Sequence, residues 1–301
     1  MRQKNLSVYK LTNNKCDTSV TEKYAAIIGL NPSNGARSPL LWNAAFSAHR
    51  VDASMLPMDV DYRSLPALLD ALQNDERFIG GAVAVPYKEN VASLLGKNMT
   101  IEAASIGAVN CIFRKNGKLH GTNTDGEASL YSYLDNYGSV SSKSVLVLGP
   151  GGAGKAVATY FSSALGKSGS MTLVARSQTE NNFANRIGAN FLKWDDLVDC
   201  LPSTDVVINC TPIGGISSER ESPITSDDLA TLRANAIVYD INYQPLPTQL
   251  LKLAQARGLA VLDGSQMNLE QAVVAFNFAM PLVKNTTLTR YAMKSILEKE
   301  Q

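Results

Sequence analysis

A glycine-rich turn, GPGGAG at positions 149–154, limits the possible folds of this chain more than any other segment. It follows an apolar run, SVLVL at 144–148, and precedes a stretch of helical character, KAVATYFSSAL at 155–165. A strand, a glycine turn and a helix in this order let the backbone approach a pyrophosphate, while the helix N-terminus presents free N–H groups to it. We therefore predict a dinucleotide site formed by Gly149, Gly151, Gly152, Ala153 and Gly154.

Two other interpretations of the glycine turn remain open at this point. The glycines can simply make a tight turn between strand and helix without any ligand. Residues 149–155 also satisfy the GxxxxGK pattern of loops that bind nucleoside triphosphates, and Asp240 ends a second apolar strand, as a magnesium-binding aspartate would. That pattern requires a Ser or Thr hydroxyl at the next position to hold Mg²⁺, whereas this chain has Ala156. The dinucleotide interpretation is therefore favoured.

The end of the next predicted strand indicates which dinucleotide is bound. In domains of this kind an acidic residue about 20 residues beyond the glycines binds the ribose hydroxyls of NAD, whereas an arginine pairs with the 2′-phosphate of NADP. Here TLVA at 172–175 leads into Arg176 and Ser177, and the next acidic residue is Glu180. We predict NADP as the cofactor, contacted by Arg176 and Ser177, with NAD as the alternative.

Apolar runs alternate with helical segments along the chain, which predicts an α/β fold with largely parallel sheets. The length of 301 residues favours two domains. We predict an N-terminal α/β substrate-binding and catalytic domain at 1–125 with 265–301, and a Rossmann dinucleotide-binding domain at 126–264, so that the C-terminal helices pack back on the first domain. Asn116 and Gly117 predict a hairpin. The predicted strands are 25–30, 54–60, 78–85, 144–149, 172–176, 205–211, 236–242 and 259–264, and the main predicted helices are 38–50, 64–73, 125–137, 268–280 and 288–299.

Charge, apolar content and cysteine spacing argue against several classes of function. The formal net charge is +1 and no long run of Lys or Arg occurs, so nucleic acid is not expected as a partner. No segment reaches the ~18 apolar residues needed to cross a bilayer, and no apolar signal segment follows the first cations. The four cysteines are scattered and there are two histidines, so neither disulfides nor a metal site is expected. These features are typical of a cytoplasmic protein.

Seven short motifs occur in a fixed order along most of the chain. They are VPYK (85–88), IGAVN (106–110), NTDG (123–126), the glycine turn (149–154), VINCT (207–211), DINYQP (240–245) and DGSQMNLEQ (263–271). Singly each motif is too short to be specific. The ordered set resembles the shikimate and quinate dehydrogenase family.

The resemblance implies an NADP-dependent oxidoreductase that interconverts a secondary alcohol and a ketone on a ring. Its expected partner is a small polyhydroxylated carboxylate, shikimate or a relative such as quinate, and its expected state is a monomer or homodimer. Oxidising such an alcohol requires a group that removes the hydroxyl proton as hydride leaves the carbon, and the resemblance assigns this role to Lys88 and Asp125. The implied substrate contacts are Ser38, Asn110, Asn123, Tyr243 and Gln271, and the residues implied around the nicotinamide are Thr211, Gly214, Gly264 and Met267.

The chain departs from the family's pattern at positions expected to face the substrate. Family members usually read HSxSP and NVTVPxK, where this chain has GARSP and AVAVPYK. Ala36, Ala82 and Ala84 therefore carry methyl groups in place of polar side chains, and each lost hydrogen bond costs about 1 kcal/mol. Arg37 can compensate by pairing with a substrate carboxylate.

The altered residues leave two further hypotheses open. One is a dehydrogenase for quinate or another cyclic polyol, using NAD or NADP. The other is a relative that binds a nucleotide or metabolite for regulation with negligible turnover. Retention of Lys88 and Asp125 argues against the second, since a binding module has no need of a proton-transfer pair.

Overall fold

Two compact units make up the chain, whose computed structural model describes residues 8–177 and 180–299. The first unit comprises Met1–Thr124 and Leu269–Gln301, and the second is the continuous segment Asp125–Asn268. The chain therefore passes between the units twice, after Thr124 and after Asn268.

The first unit is built on a five-stranded mixed sheet. Its strands are β1 (Lys23–Gly29), β2 (Ala53–Asp59), β3 (Phe78–Val83), β4 (Cys111–Lys115) and β5 (Lys118–Thr122). They lie in the order β2-β1-β3-β4-β5, with the first three parallel and the last two antiparallel to their neighbours. Asn116 and Gly117 join β4 to β5 with φ angles of 52° and 74°, the left-handed pair that a two-residue hairpin turn requires.

Apolar side chains on both faces of this sheet are covered by helices. The helices are α1 (Ser38–Ala48), α2 (Leu65–Asn74), α3 (Lys88–Leu95) and α4 (Ile101–Ile106). Successive residues of a strand point to opposite faces, so Tyr24 of β1 belongs to the core shared with α2 and α3, and Ile27 to the core shared with α1. The sheet therefore separates two apolar layers.

The second unit is a doubly wound parallel sheet. Its strands lie in the order β11-β10-β9-β6-β7-β8, and all are parallel. This order is that of a Rossmann fold, in which the chain reverses direction across the sheet between β6 and β9 and leaves a crevice at their carboxyl ends. The elements are α5 (Asp125–Tyr137), β6 (Ser144–Leu148), α6 (Gly152–Ala164), β7 (Ser170–Ala175), α7 (Asn181–Arg186), β8 (Asn190–Lys193), α8 (Leu197–Cys200), β9 (Val206–Asn209), α9 (Ser226–Leu229), β10 (Ile237–Asp240), α10 (Gln249–Ala256) and β11 (Ala260–Leu262).

The last two helices, α11 (Ser265–Ala279) and α12 (Thr286–Glu298), complete the first unit. The Phe276 ring of α11 lies 5.2 Å from the rings of both Trp42 and Phe46 of α1. Met293 of α12 is fully buried in the same core. The predicted fold class is confirmed, including the return of the C-terminal helices to the first domain.

Several element boundaries differ from those predicted. Helix α1 begins at the predicted Ser38, with Arg37 as its N-cap, and ends at Ala48, two residues before the predicted end. Strand β3 ends before Pro86, because the Tyr87 N–H donates to the Ala84 carbonyl and closes a turn there. Helix α3 starts at Lys88, directly after this turn.

The described residues were also searched for membrane spans and metal sites. None of their helices combines the length and apolar character that crossing a bilayer requires. Within the same residues no group of three or more His, Cys, Asp or Glu side chains is placed to hold a metal ion. All four cysteines are free thiols.

Candidate active site

The glycine turn of the second unit has the backbone geometry of a pyrophosphate cradle. Gly149 follows β6 with φ = +78°, a left-handed conformation that favours glycine. A Cβ on Gly154 would lie 2.2 Å from the Gly149 carbonyl oxygen, so only glycine lets α6 approach the turn this closely. A Cβ on Gly151 would meet no atom within 4 Å, which leaves that side of the turn open. The N–H groups of Gly152 and Ala153 are the first of α6 and have no acceptor within the helix, so the turn fits a dinucleotide pyrophosphate.

Thr211 lies beside the glycine turn, at the reversal point between β6 and β9. A Cβ on Gly149 would lie 2.5 Å from Thr211 Cγ2, which shows how closely the two segments approach. The Thr211 N–H and hydroxyl both donate to Asn209 Oδ1, at 3.0 and 2.7 Å. The Thr211 hydroxyl in turn accepts from the Ile213 N–H at 3.2 Å. The loop that leads to Gly214 is therefore fixed by the last residue of β9.

A buried carboxylate ties this loop to the next one along the sheet edge. Asp240, fully buried at the end of β10, accepts hydrogen bonds through Oδ1 from Asn209 Nδ2 (3.0 Å), Asn242 N (3.0 Å) and Asn242 Nδ2 (2.9 Å). Its Oδ2 accepts from the Thr248 hydroxyl at 2.7 Å. Burial raises the pKa of the Asp240 carboxyl, and the bonds from Thr248, Asn242 and Asn209 oppose that rise. These donors occupy the carboxylate, so Asp240 holds loops together and is not arranged as a magnesium ligand.

The remaining residues expected near the nicotinamide lie around the ends of β10 and β11. Gly264 lies close to Ile241, the residue after β10. A Cβ on Gly264 would lie 2.0 Å from the Ile241 carbonyl oxygen. Gly214 has φ = +93°, and Met267 is buried in the core of the second unit. Tyr243, the predicted substrate contact of this unit, is half-buried in the loop after β10.

The end of β7 carries the residues expected to read the cofactor's ribose. Arg176 and Ser177 directly follow β7 and are exposed. Glu180 lies at the N-cap of α7, and its carboxylate is 3.0 Å from the Lys155 ammonium of α6. Beyond the end of β7 the chain therefore has both an arginine, Arg176, and an acid held in an ion pair, Glu180.

In the first unit, Lys88 is held at the first turn of α3. The preceding Tyr87 is buried and its hydroxyl donates to the Val60 carbonyl at 2.6 Å. The Lys88 carbonyl accepts from the Val109 N–H at 2.9 Å. Because both flanking segments are fixed, the backbone sets the position from which the half-buried Lys88 side chain extends.

Asn110 and Gln271, 161 residues apart in sequence, are brought together by the fold. Asn110 Nδ2 donates to Gln271 Oε1 at 3.4 Å and to the Thr124 hydroxyl at 2.9 Å. Asn110 Oδ1 accepts from the Thr124 N–H at 2.8 Å, and the Thr124 hydroxyl donates to the Gln271 carbonyl at 3.1 Å. Thr124, which sequence reasoning did not single out, is therefore the centre of this network. Its place between two motif residues, Asn123 and Asp125, was the available signal.

The other predicted residues of the motifs are placed as follows. Asn123 is buried, and its Nδ2 donates to the Ala108 carbonyl at 3.1 Å. Ser38 is buried in the first turn of α1. Lys88 belongs to the first unit, whereas Asp125 is the first residue of α5 and of the second unit.

Methyl groups occupy the positions where the family pattern has polar side chains. Ala84 follows β3, and a Cβ on Gly29 would lie 2.9 Å from the Ala84 methyl. Ala36 and Ala84 are half-buried against the core that contains Trp42, while Ala82 is buried within it. This part of the first unit is therefore an apolar surface at the ends of β1 and β3.

Comparisons with known proteins agree with this arrangement. Residues 27–112 match the family model of the shikimate dehydrogenase substrate binding domain. The NADP(+) shikimate dehydrogenase of Trichormus variabilis is 32% identical over 263 residues, which are 84% of this chain and 89% of that protein.

Solved structures resemble the chain over a similar span. A shikimate 5-dehydrogenase from Thermus thermophilus, in complex with NADP(H) and shikimate, has a TM-score of 0.77 and 26% identity, covering 91% of this chain and 99% of that one. A quinate dehydrogenase from Corynebacterium glutamicum, in complex with NAD, has a TM-score of 0.77 and 25% identity over the same shares of both chains.

Proposed function

Because this chain belongs to the shikimate and quinate dehydrogenase family, we propose that it interconverts a ring secondary alcohol and its ketone with NADP, and that shikimate is its substrate. The observation that supports this most is the likeness to an NADP-dependent shikimate dehydrogenase over 84% of the chain, combined with a glycine turn whose geometry fits a dinucleotide. The family match is found in the sequence, and the cradle is found in the backbone geometry.

The second unit supplies the residues that would hold NADP. When bound, NADP accepts a hydride from the alcohol carbon or returns one to the ketone. The N–H groups at the start of α6 would bind the pyrophosphate, and Arg176 with Ser177 would bind the 2′-phosphate. The residues that would border the nicotinamide are Thr211, Gly214, Gly264 and Met267.

We assign proton transfer at the substrate hydroxyl to Lys88 and Asp125. Lys88 Nζ takes the proton from the hydroxyl oxygen as the carbon–hydrogen bond breaks, and returns it in the reduction. The family resemblance assigns Asp125 the role of orienting that amine or relaying the proton.

Substrate hydroxyl groups are bound by amide and hydroxyl side chains whose positions are already fixed. The Asn110 side chain is oriented by Thr124 and the Gln271 side chain by Asn110, so little side-chain entropy is lost when they bind a polyol. Asn123, Ser38 and Tyr243 complete the proposed set of contacts. Amide and hydroxyl groups both donate and accept, which suits a ring that carries several hydroxyls.

The apolar surface at Ala36 and Ala84 leads to a prediction about the substrate carboxylate. The double substitution A36S/A84T adds two hydroxyl donors, each worth about 1 kcal/mol, so kcat/KM for shikimate should rise about thirtyfold. Steady-state rates with shikimate and NADP measure this. Ser38→Ala, which removes a hydroxyl from the same region, should lower kcat/KM. An unchanged kcat/KM in A36S/A84T would mean that Arg37 or another group already binds the carboxylate.

A matrix of substrates and cofactors tests the proposed function itself. The purified protein is mixed with shikimate or quinate and with NADP or NAD, and formation of reduced nicotinamide is followed by absorbance. We expect turnover with shikimate and NADP. Quinate is the second candidate substrate. Without hydroxyl contacts at Ala36 and Ala84, the site should discriminate less strongly between shikimate and quinate. Folded protein that turns over none of the four combinations would reject the assignment.

We also propose a cytoplasmic location and a monomeric or homodimeric state, without a nucleic-acid partner. Four free thiols suit a reducing compartment, and a net charge of +1 gives no electrostatic basis for binding a phosphate backbone. Sedimentation of the purified protein would determine the oligomeric state.

A further inference from the structure

An ion pair links the helix that follows the glycine turn to the loop that reads the ribose. Lys155 Nζ lies 3.0 Å from Glu180 Oε2, and the two side chains are only 12% and 25% exposed. Lys155 Nζ also lies 5.9 Å from the centre of the Phe183 ring. Because water is largely excluded from both partners, this pair is screened less than an exposed surface pair.

The position of the pair relates it to the cofactor. Lys155 is in the first turns of α6, whose N-terminus is the pyrophosphate cradle. Glu180 follows Arg176 by four residues beyond the end of β7, where Rossmann domains read the ribose. An acid there favours NAD through its ribose hydroxyls, and an arginine favours NADP through its 2′-phosphate. This chain has both an acid, Glu180, and an arginine, Arg176, and the charge of Lys155 balances that of Glu180.

We propose that the Lys155–Glu180 pair sets the cofactor selectivity of this protein. While paired, Glu180 does not repel the 2′-phosphate that Arg176 binds, so NADP is accepted. Because Lys155 is paired with Glu180, it attracts that phosphate less strongly. The difference in affinity between NADP and NAD is therefore smaller. The inference rests on the proposed function, because it assumes that a nicotinamide dinucleotide occupies the second unit.

The electrostatic argument gives the sign of each change. The 2′-phosphate carries about −1.5 to −2 charges at neutral pH, so it responds strongly to a nearby charge, whereas the hydroxyl of NAD at that position does not. Removing the Glu180 charge makes this region more positive by one unit, which favours the phosphate. Removing the Lys155 charge leaves Glu180 free to repel it.

Binding of NADPH and NADH, titrated by fluorescence without substrate, tests the proposal. In Glu180→Gln the dissociation constant of NADPH should fall about tenfold while that of NADH stays within about twofold. In Lys155→Met the dissociation constant of NADPH should rise about tenfold with a much smaller effect on NADH. Asp227→Asn on α9 removes the same charge from an exposed carboxylate and should change neither constant.

The double variant K155M/E180Q distinguishes an ion pair that sets cofactor selectivity from one that only stabilises the fold. Because the two opposite charges offset each other at the phosphate, the double variant, which lacks both, should bind NADPH within about threefold of the parent protein. Equal changes for NADPH and NADH, or a lower melting temperature with an unchanged ratio of the two constants, would overturn the proposal. If the parent protein bound neither dinucleotide, the proposed function would fail, which is a different result from an unchanged ratio.

Discussion

Replacing Lys88 with Ala should lower kcat by about 10²- to 10⁴-fold and leave the dissociation constant of NADPH unchanged. The reason is that this side chain is proposed to move the hydroxyl proton, and the cradle for the dinucleotide lies in the other unit. The hydrogen bond between the Lys88 carbonyl and the Val109 N–H involves only the backbone, so it persists in this variant. Single-turnover kinetics and a fluorescence titration measure the two quantities.

Lys88→Arg is the matched control. Arginine keeps the positive charge and the donors but does not release a proton in proteins, so a proton-transfer role predicts that this variant is nearly as slow as K88A. A role limited to attracting a carboxylate predicts that K88R retains most of the activity. Unchanged turnover in K88A would contradict the proposed mechanism, and absence of turnover in the parent protein with intact nucleotide binding would favour a regulatory binding protein.

Replacing Gly154 with Ala should weaken NADPH binding about thirtyfold, equivalent to about 2 kcal/mol of binding free energy. Its new Cβ would lie 2.2 Å from the Gly149 carbonyl oxygen, so α6 must move away from the turn and its N–H groups leave the pyrophosphate. The same overpacking should lower the free energy of unfolding by about 1 to 3 kcal/mol, despite the better helix propensity of alanine. Urea unfolding and a cofactor titration measure both effects.

Gly151→Ala provides the comparison for Gly154→Ala within the same turn. No atom lies within 4 Å of the added Cβ and φ is −76°, so its free energy of unfolding should stay within about 1 kcal/mol of the parent. Its affinity for NADPH should still fall, because the methyl group projects into the open side of the cradle. If both variants bound NADPH normally, the glycine turn would not be the pyrophosphate site.

Local signals in the sequence were enough to predict the fold class and the cofactor type. The order of strand, glycine turn and helix at 144–165 depends on neighbouring residues only, as does the Asn116-Gly117 hairpin. Short elements escaped prediction. Strand β8 has four residues and α4 has six, which is too few for either periodicity to be recognised.

Pairings between distant residues could not be predicted from one sequence. Asn110 and Gln271 were assigned separately, and only the fold shows that they share Thr124. Asp240 ends an apolar strand as a metal-binding aspartate would, and the sequence does not show that Asn209, Asn242 and Thr248 donate to its carboxylate. The catalytic roles of Lys88 and Asp125 and the domain limits remain predictions.

The order in which the units are encoded has a consequence for biosynthesis. The second unit is one uninterrupted segment, Asp125–Asn268, so a ribosome releases all of it before the first unit is complete. The core around Trp42 lacks Phe276 and Met293 until the chain has been made almost to its last helix. In a nascent chain this apolar sheet face is therefore covered only in part, by α1, while the nucleotide-binding unit can already fold. Chaperones or premature aggregation would meet this face first.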